Sequence, residues 1–328
     1  MQTDNNMTDY ILVDLHNMFH RAKHVSRGPD VETKIGMCLH ILFSSINYVS
    51  KKFGGHVIIA SEGRSWRKTV YPIYKANRKE LQAQASTKEL REVQMLFDAL
   101  DDTLEFFKSK SNCTVLHHPE MEADDLIAAW AQKFPDKKHV IVSSDSDYLQ
   151  LINPNVEIYN GITNNLIKLE GYFDDKGNKL KDTPDPEWLL FEKCMRGDSS
   201  DNVKSAYPGV RTKSTKKQIG LLEAFEDRNS KGFAWNNLML QRWVDHDNNE
   251  RKVIDAYLEN KQLIDLTNQP KNIREALEGC INEVEPKKVP MVGIHFMKFC
   301  GKYSLTRCGE QVNEHVRYLN RGHDRKEL

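Results

Sequence analysis

The chain has 328 residues, 39% of them hydrophobic, with 47 acidic and 47 basic side chains, so it can bury the core of one large or two modest domains, and its partner must be read from where charges sit rather than from their sum. Six cysteines without a CxxC pair argue against structural zinc and a disulfide framework and fit a reducing compartment. No apolar run approaches membrane-span length, the polar start MQTDNNMTD does not read as a signal peptide and the closing RKEL does not read as an address, so the expected location is the cytoplasm, the host's if the source is viral.

Tyr10 to Leu15 (YILVDL) reads as a buried strand ending in an acid, Asp14, followed by the polar triplet His16, Asn17 and Met18. Burying a lone acid unpaired is costly, so Asp14 belongs at a strand mouth or beside a partner, and a metal site is one such setting. Residues 32–53 form a helix with Ile35, Leu39, Leu42, Phe43, Ile46 and Val49 on one face, ended by Gly54 and Gly55. His56 to Ala60 (HVIIA) is the next strand, which gives a β-α-β opening and a parallel sheet. It exits through Ser61, Glu62 and Gly63.

Residues 64–79 (RSWRKTVYPIYKANRK) interleave cations with Trp66, Tyr71 and Tyr74. Such a stretch suits phosphate contact plus base stacking, and equally a surface loop whose aromatics pack down. Residues 87–110 form a helix with Leu90, Val93, Phe97, Leu100, Leu104 and Phe107 as its apolar seam, and 113–117 (CTVLH) is a further strand. Next comes the densest chemistry in the chain. Residues 121–151 set Glu122, Asp124 and Asp125 in the first turn of a helix stopped at Pro135, and Asp145 and Asp147 on a turn after the apolar strand His139 to Ser143. Two carboxylates near 4 Å repel by roughly 4 kcal/mol even at an effective dielectric of about 20, so gathering several calls for protons or cations. Both groups fall at the carboxyl edge of the parallel sheet, where open α/β folds place ligands.

A hairpin is expected from Val156 to Tyr159 and Leu166 to Leu169, and a loop over 174–185 marks the boundary between an α/β core, residues 1–184, and a mostly helical region, 185–328. In the second region the helix 187–196 runs into a helix-turn-helix-like element with Asp198 and Asp201 at its turn. Thr215 and Gln218 fit a capping box, which puts Lys213, Lys216 and Lys217 at a helix amino end able to meet an anion. Further helices are expected over 236–264, 272–284 and 296–319.

The ordered series ILVDLHN, WRKTVYPIYKANR, MEADDLIA, SSDSD and GDSSDN resembles the FEN-like 5′ nuclease superfamily of flap endonucleases and 5′-3′ exonucleases, and within it the T-even bacteriophage ribonuclease H branch, over residues 10–225. The resemblance implies a PIN/FEN-like nuclease core on a parallel sheet, with a helix-3-turn-helix DNA-binding element in the helical region. It further implies a magnesium-dependent 5′-to-3′ exonuclease and flap endonuclease acting on DNA and RNA:DNA hybrids, as in RNA primer removal during phage-type replication. Asp14, Glu122, Asp124, Asp125, Asp145, Asp147, Asp198 and Asp201 would hold two Mg²⁺, with Mn²⁺ able to substitute and no organic cofactor. Where the family has an aspartate at the mouth of the second strand, this chain has Ala60 or Ser61, and Glu62 is expected to substitute with its longer arm. A second departure is Gly209-Val210-Arg211 in place of a GxG in the backbone-gripping loop. Lys75 and Arg78 would act on the scissile phosphate. Arg21, Arg64, Arg67, Lys79, Lys204, Arg211, Lys213, Lys216 and Lys217 would bind nucleic acid. Duplex, flap or hybrid nucleic acid is the expected partner of a monomer, with a single-strand-binding protein or sliding clamp as protein partner. A non-catalytic replication factor on the same fold and a magnesium-dependent phosphotransferase are the rival readings.

Overall fold

The structure is a computed structural model that describes residues 8–78, 86–216, 218–245 and 248–322. In chain order the elements are β1 (Tyr10–Asp14), α1 (Leu15–Val25), α2 (Val31–Phe53), β2 (His56–Ser61), α3 (Arg67–Val70), α4 (Thr87–Lys110), β3 (Thr114–His117), α5 (Ala123–Lys133) and β4 (His139–Val142). A 3₁₀ helix (Ser146–Leu151) follows, then β5 (Val156–Asn160), β6 (Asn165–Lys168), β7 (Gly171–Phe173), β8 (Lys179–Lys181) and α6 (Pro186–Arg196). The chain continues through α7 (Leu221–Glu226), α8 (Phe233–Met239), β9 (Arg242–Val244), β10 (Glu250–Lys252), α9 (Val253–Ile264), α10 (Lys271–Asn282), α11 (Val292–Lys302), α12 (Thr306–Glu310) and α13 (Val312–Leu319).

Two compact units divide the described chain: residues 8–65, 86–183 and 272–322 form the first, and residues 66–78 and 184–271 the second. This is not the division into two consecutive domains expected at residue 184. The carboxyl-terminal helices change sides because their aromatic residues enter the first core: Phe43 of α2 packs against Phe107 at 5.5 Å, Phe296 at 5.1 Å and Phe299 at 5.5 Å between ring centroids.

The first unit holds an eight-stranded sheet in the order β3-β2-β1-β4-β5-β6-β7-β8. The strands from β3 to β5 run parallel, and β5 to β8 continue as antiparallel hairpins. All five residues of β1 are buried, as are all four of β4, which is why both read as uninterrupted apolar runs. The strand order reverses at β1, whose neighbours are β2 and β4, so the carboxyl ends of β1 and β4 flank a topological switch point. The sharp entry into β2 needs glycine twice: Gly54 and Gly55 have φ of 72° and 82°, and a Cβ on Gly55 would lie 2.6 Å from the Thr8 carbonyl oxygen.

Several expectations shift. The stretch after β1, to which the sequence assigned no element beyond the triplet His16, Asn17 and Met18, is α1, which buries Leu15, Met18, Phe19 and Ala22 at helical spacing. The seam of α4 keeps the expected Leu100 and Phe107 buried with Phe97 and Leu104 packed against the core, adds Leu96, Ala99, Thr103 and Phe106, and leaves Leu90 exposed because the first turns of the helix lie outside the core. The loop expected over 174–185 contains β8, paired with β7. The helix expected over 236–264 is interrupted by the β9–β10 hairpin, and that expected over 296–319 breaks at Ser304, where φ is 54°.

The second unit has its own core of Tyr74, Phe191, Cys194, Met195, Val203, Leu221, Phe225, Leu238, Tyr257 and neighbouring apolar residues. Asn260 of α9 donates to the carbonyl oxygens of Cys194 and Lys204, both at 2.8 Å, and so fixes the loop after α6. The expected capping box forms only as a turn: Gln218 N–H donates to Thr215 Oγ1 at 3.2 Å, yet no helix follows until Leu221, where Gly220 is the N-cap. Lys213 and Lys216 therefore sit in an exposed loop and not at a helix amino end.

Candidate metal centre

In the first unit the sheet brings its acids to one edge. Asp14 closes β1 in register with Ala60 of β2, and Ser61 pairs with His117 of β3, so Glu62 is the first acid beyond that row. Gly63 permits this exit. Its N–H donates to the Met121 carbonyl at 2.7 Å, and a Cβ there would lie 2.1 Å from the His118 carbonyl oxygen. The segment therefore runs beside residues 118–121, and Ser65 Oγ donates to Glu122 Oε2 at 2.5 Å at the head of α5. The backbone N–H of Glu62 donates to His16 Nδ1 at 3.2 Å, which ties the exit of β2 to the first turn of α1.

Glu122, Asp124 and Asp125 present carboxylate oxygens that all lie within 4.8 Å of one another. Asp125 is fully buried because it also closes a capping box, its Oδ2 accepting from Glu122 N–H at 3.4 Å. Beyond β4, Asp145 caps the 3₁₀ helix by accepting from Asp147 N–H at 3.0 Å, and its own N–H donates to Ser143 Oγ at 3.1 Å. Asn17 braces the same turn: its Oδ1 accepts from Ser144 N–H at 3.0 Å and from Ser144 Oγ at 2.9 Å.

Asp14 is the buried centre of this edge, 6% exposed. One carboxylate oxygen accepts from Asn17 N–H at 3.0 Å, making Asp14 the N-cap of α1, and the other accepts from Tyr148 Oη at 3.0 Å. Burial pushes its carboxyl up to about 7; the Asn17 and Tyr148 hydrogen bonds oppose this, while the negative charges of Glu62 and Asp145 add to it. Tyr148 is pushed upward chiefly by burial and then by the negative charges of Asp14, Asp124 and Asp145. Burial lowers His16 to about 4, keeping its imidazole neutral beside Glu62. The donor set consists of carboxylate oxygens, without thiolates, and fits a hard divalent cation that keeps part of its water shell. Asn17, Ser65, Ser143 and Tyr148 position this edge and were not given that role from sequence; Asn17 and Ser143 do lie within the ILVDLHN and SSDSD motifs, whereas Ser65 and Tyr148 carry no such signal.

In the second unit the YKANR segment is organised by Asp201. Tyr74 Oη donates to its Oδ2 at 2.7 Å, Lys75 Nζ lies 3.5 Å from the same oxygen, and Arg78 Nη2 donates to Oδ1 at 3.0 Å. Lys75 holds a left-handed conformation, φ 54°, and its N–H donates to the Asp201 carbonyl at 2.9 Å. Asp198 accepts from Ser200 Oγ at 2.6 Å and pairs with Lys193 at 2.7 Å; although burial raises its carboxyl, Lys193 and Ser200 outweigh this and hold it below the ordinary value. Asp198 and Asp201, expected as metal ligands, are thus paired with cations here.

The expected nucleic-acid contacts divide by exposure. Arg64, Arg211, Lys213 and Lys216 are exposed, and Lys204 is half-buried. Lys79 and Lys217 lie outside the described residues. Arg67 is not a phosphate contact: it is 1% exposed, donates Nε–H to the Leu263 carbonyl at 2.7 Å and lies over the Trp66 ring at 4.8 Å. Arg21 is half-buried, with its guanidinium against the Gly161 turn, where an added Cβ would lie 2.5 Å away. Trp66 and Tyr74 are buried at 5% and 3%, so the aromatics of this stretch pack inward and are not a stacking platform.

A family model described as the 5′-3′ exonuclease N-terminal resolvase-like domain matches residues 9–177, just over half of the 328-residue chain. The 5′-3′ exonuclease of Mycoplasmopsis pulmonis is 27% identical over 222 residues, which cover 66% of this chain and 68% of that protein. That of Buchnera aphidicola is 31% identical over 183 residues, 55% of each chain, so the match spans about half of that relative. Among solved structures, the bacteriophage T5 D15 protein co-crystallised with metal ions covers 94% of this chain and 99% of its own at a TM-score of 0.55 and 19% identity, a likeness of fold. No helix among the described residues is long and apolar enough to cross a membrane. Strand order, acid placement and family match agree: the chain belongs to the 5′-3′ exonuclease family and is a 5′ nuclease, a hydrolase of phosphodiester bonds.

Proposed function

We propose that this protein is a magnesium-dependent 5′-to-3′ exonuclease and flap endonuclease acting on DNA and on RNA:DNA hybrids, and that it removes RNA primers in phage-type replication. The observation that carries the metal dependence is the gathering of carboxylates at the carboxyl edge of the sheet, with Asp14 buried at the end of β1 and Glu122, Asp124 and Asp125 offering oxygens within 4.8 Å of one another. Such crowding of carboxylates is relieved by divalent cations. Asp14, Glu62, Glu122, Asp124, Asp125, Asp145 and Asp147 would hold two Mg²⁺, or Mn²⁺ in their place. When bound, two such ions activate a water for attack and stabilise the leaving oxygen.

The chain's own groups do the rest. Lys75 and Arg78 supply positive charge to the reacting phosphate, and Asp201 holds both until substrate competes for them. Arg64, Arg211, Lys213 and Lys216 grip phosphates without reading bases. The protein acts as a monomer beside a single-strand-binding protein or clamp. Incubation of 5′-labelled flap, nicked duplex and RNA:DNA hybrid with magnesium or chelator tests this reading. Magnesium-dependent release of 5′ products supports it. Cleavage unaffected by chelator, or preference for a small phosphate ester as a phosphotransferase would show, overturns it.

A further inference from the structure

The turn after β4 brings Tyr148 back beneath the end of β1, where the side chain is 1% exposed. An aliphatic residue would fill this space, yet the chain buries a phenol whose hydroxyl needs a partner. That partner is Asp14 Oδ2 at 3.0 Å, with Ser143 Oγ at 3.5 Å from the same oxygen and Asn17 N–H at 3.0 Å from the other. Donors from three elements thus fix the plane of one carboxylate.

We propose that Tyr148 is a positioning residue: its hydroxyl sets the orientation of the Asp14 carboxylate and thereby the affinity of the acid edge for divalent cations, without touching cation or substrate. This rests on the metal reading above. A phenol donor on one oxygen leaves the remaining lone pairs of Asp14 aimed in a fixed direction, so the ligand pays no reorientation on binding. Without the hydroxyl, Oδ2 loses its strong donor and the carboxylate can turn.

Mn²⁺ binding measured by electron paramagnetic resonance, with no substrate present, compares the wild type, Tyr148→Phe and Asp14→Ala. Tyr148→Phe keeps the ring and is expected to bind Mn²⁺ about tenfold more weakly, with the same number of ions at saturation and an unfolding temperature in chelator lowered only modestly by the lost hydrogen bond. Turnover should return as Mn²⁺ is raised. Equal affinity in the wild type and Tyr148→Phe overturns the role of Tyr148 and leaves the metal reading standing. A wild type that binds no Mn²⁺ overturns the metal reading itself. Should Tyr148→Phe fail to fold, 3-fluorotyrosine at position 148 keeps the shape and strengthens the donor; unchanged Mn²⁺ affinity there overturns the proposal.

Discussion

Replacing Asp14 with Asn should make the metal-free protein more stable at alkaline pH, by an amount that follows from burial. In the unfolded chain Asp14 ionises near its ordinary value of 3.8, whereas in the fold it ionises at about 7. The native state therefore holds a proton that the unfolded state has lost, and metal-free stability falls as pH rises through this interval. The shift of about 3 units is worth up to about 4 kcal/mol above pH ~7, of which about 3 kcal/mol accrues between pH ~5 and ~8. Asn keeps an acceptor for the Asn17 N–H and removes the charge. Urea unfolding in chelator at the two pH values is the assay. Wild type should lose more stability than Asp14→Asn on going from the lower to the higher pH, by up to about 3 kcal/mol. Histidines with lowered values, such as His16, titrate in both proteins and cancel in this difference. Added magnesium should reverse the order, because it stabilises the wild type through binding. Identical pH dependence of the two proteins in chelator would refute the account of Asp14 as a buried, charge-crowded carboxylate.

Glu62→Gln should raise the half-maximal magnesium concentration for cleavage several-fold, checked by a magnesium titration; an unaltered curve makes Glu62 a surface acid. Lys75→Ala should lower kcat far more than it raises the substrate Kd, as expected of a contact made mainly in the transition state, which single-turnover kinetics can separate from binding. Lys213→Ala with Lys216→Ala should flatten the dependence of log affinity on log salt by up to about 1.8 on duplex DNA whatever its sequence, read by anisotropy in calcium. Arg67→Ala should destabilise by about 2–4 kcal/mol, since it leaves the buried Leu263 carbonyl without its donor and removes the packing on Trp66; thermal unfolding checks this, and a surface-like change would contradict its burial.

The sheet was legible because its inner strands are continuous apolar runs bounded by acids, and the acid edge because residues 121–151 alternate core and carboxylates. What stayed hidden depends on contacts distant in sequence. Arg67 reads as a basic loop residue, and only the carbonyl of Leu263 and the ring of Trp66 turn it into a core residue. The stretch carrying Phe296 and Phe299 gives no sign that it packs on Phe43, so its membership of the first unit is a tertiary fact. By contrast α1 was readable: Leu15, Met18, Phe19 and Ala22 carry helical spacing, which the polar His16 and Asn17 between them obscured. The role of Asp201 depends on Tyr74, Lys75 and Arg78 converging from far along the chain.

The central claim is that the carboxyl edge of the sheet holds the divalent cations of a phosphodiesterase. Anomalous diffraction from a crystal soaked in Mn²⁺ tests it most directly. The account predicts strong peaks within coordinating distance of carboxylate oxygens of the set Asp14, Glu62, Glu122, Asp124, Asp125, Asp145 and Asp147, lost in crystals of Asp145→Asn with Asp124→Asn. Peaks confined to other surface acids, with this edge bare at saturating Mn²⁺, would contradict it.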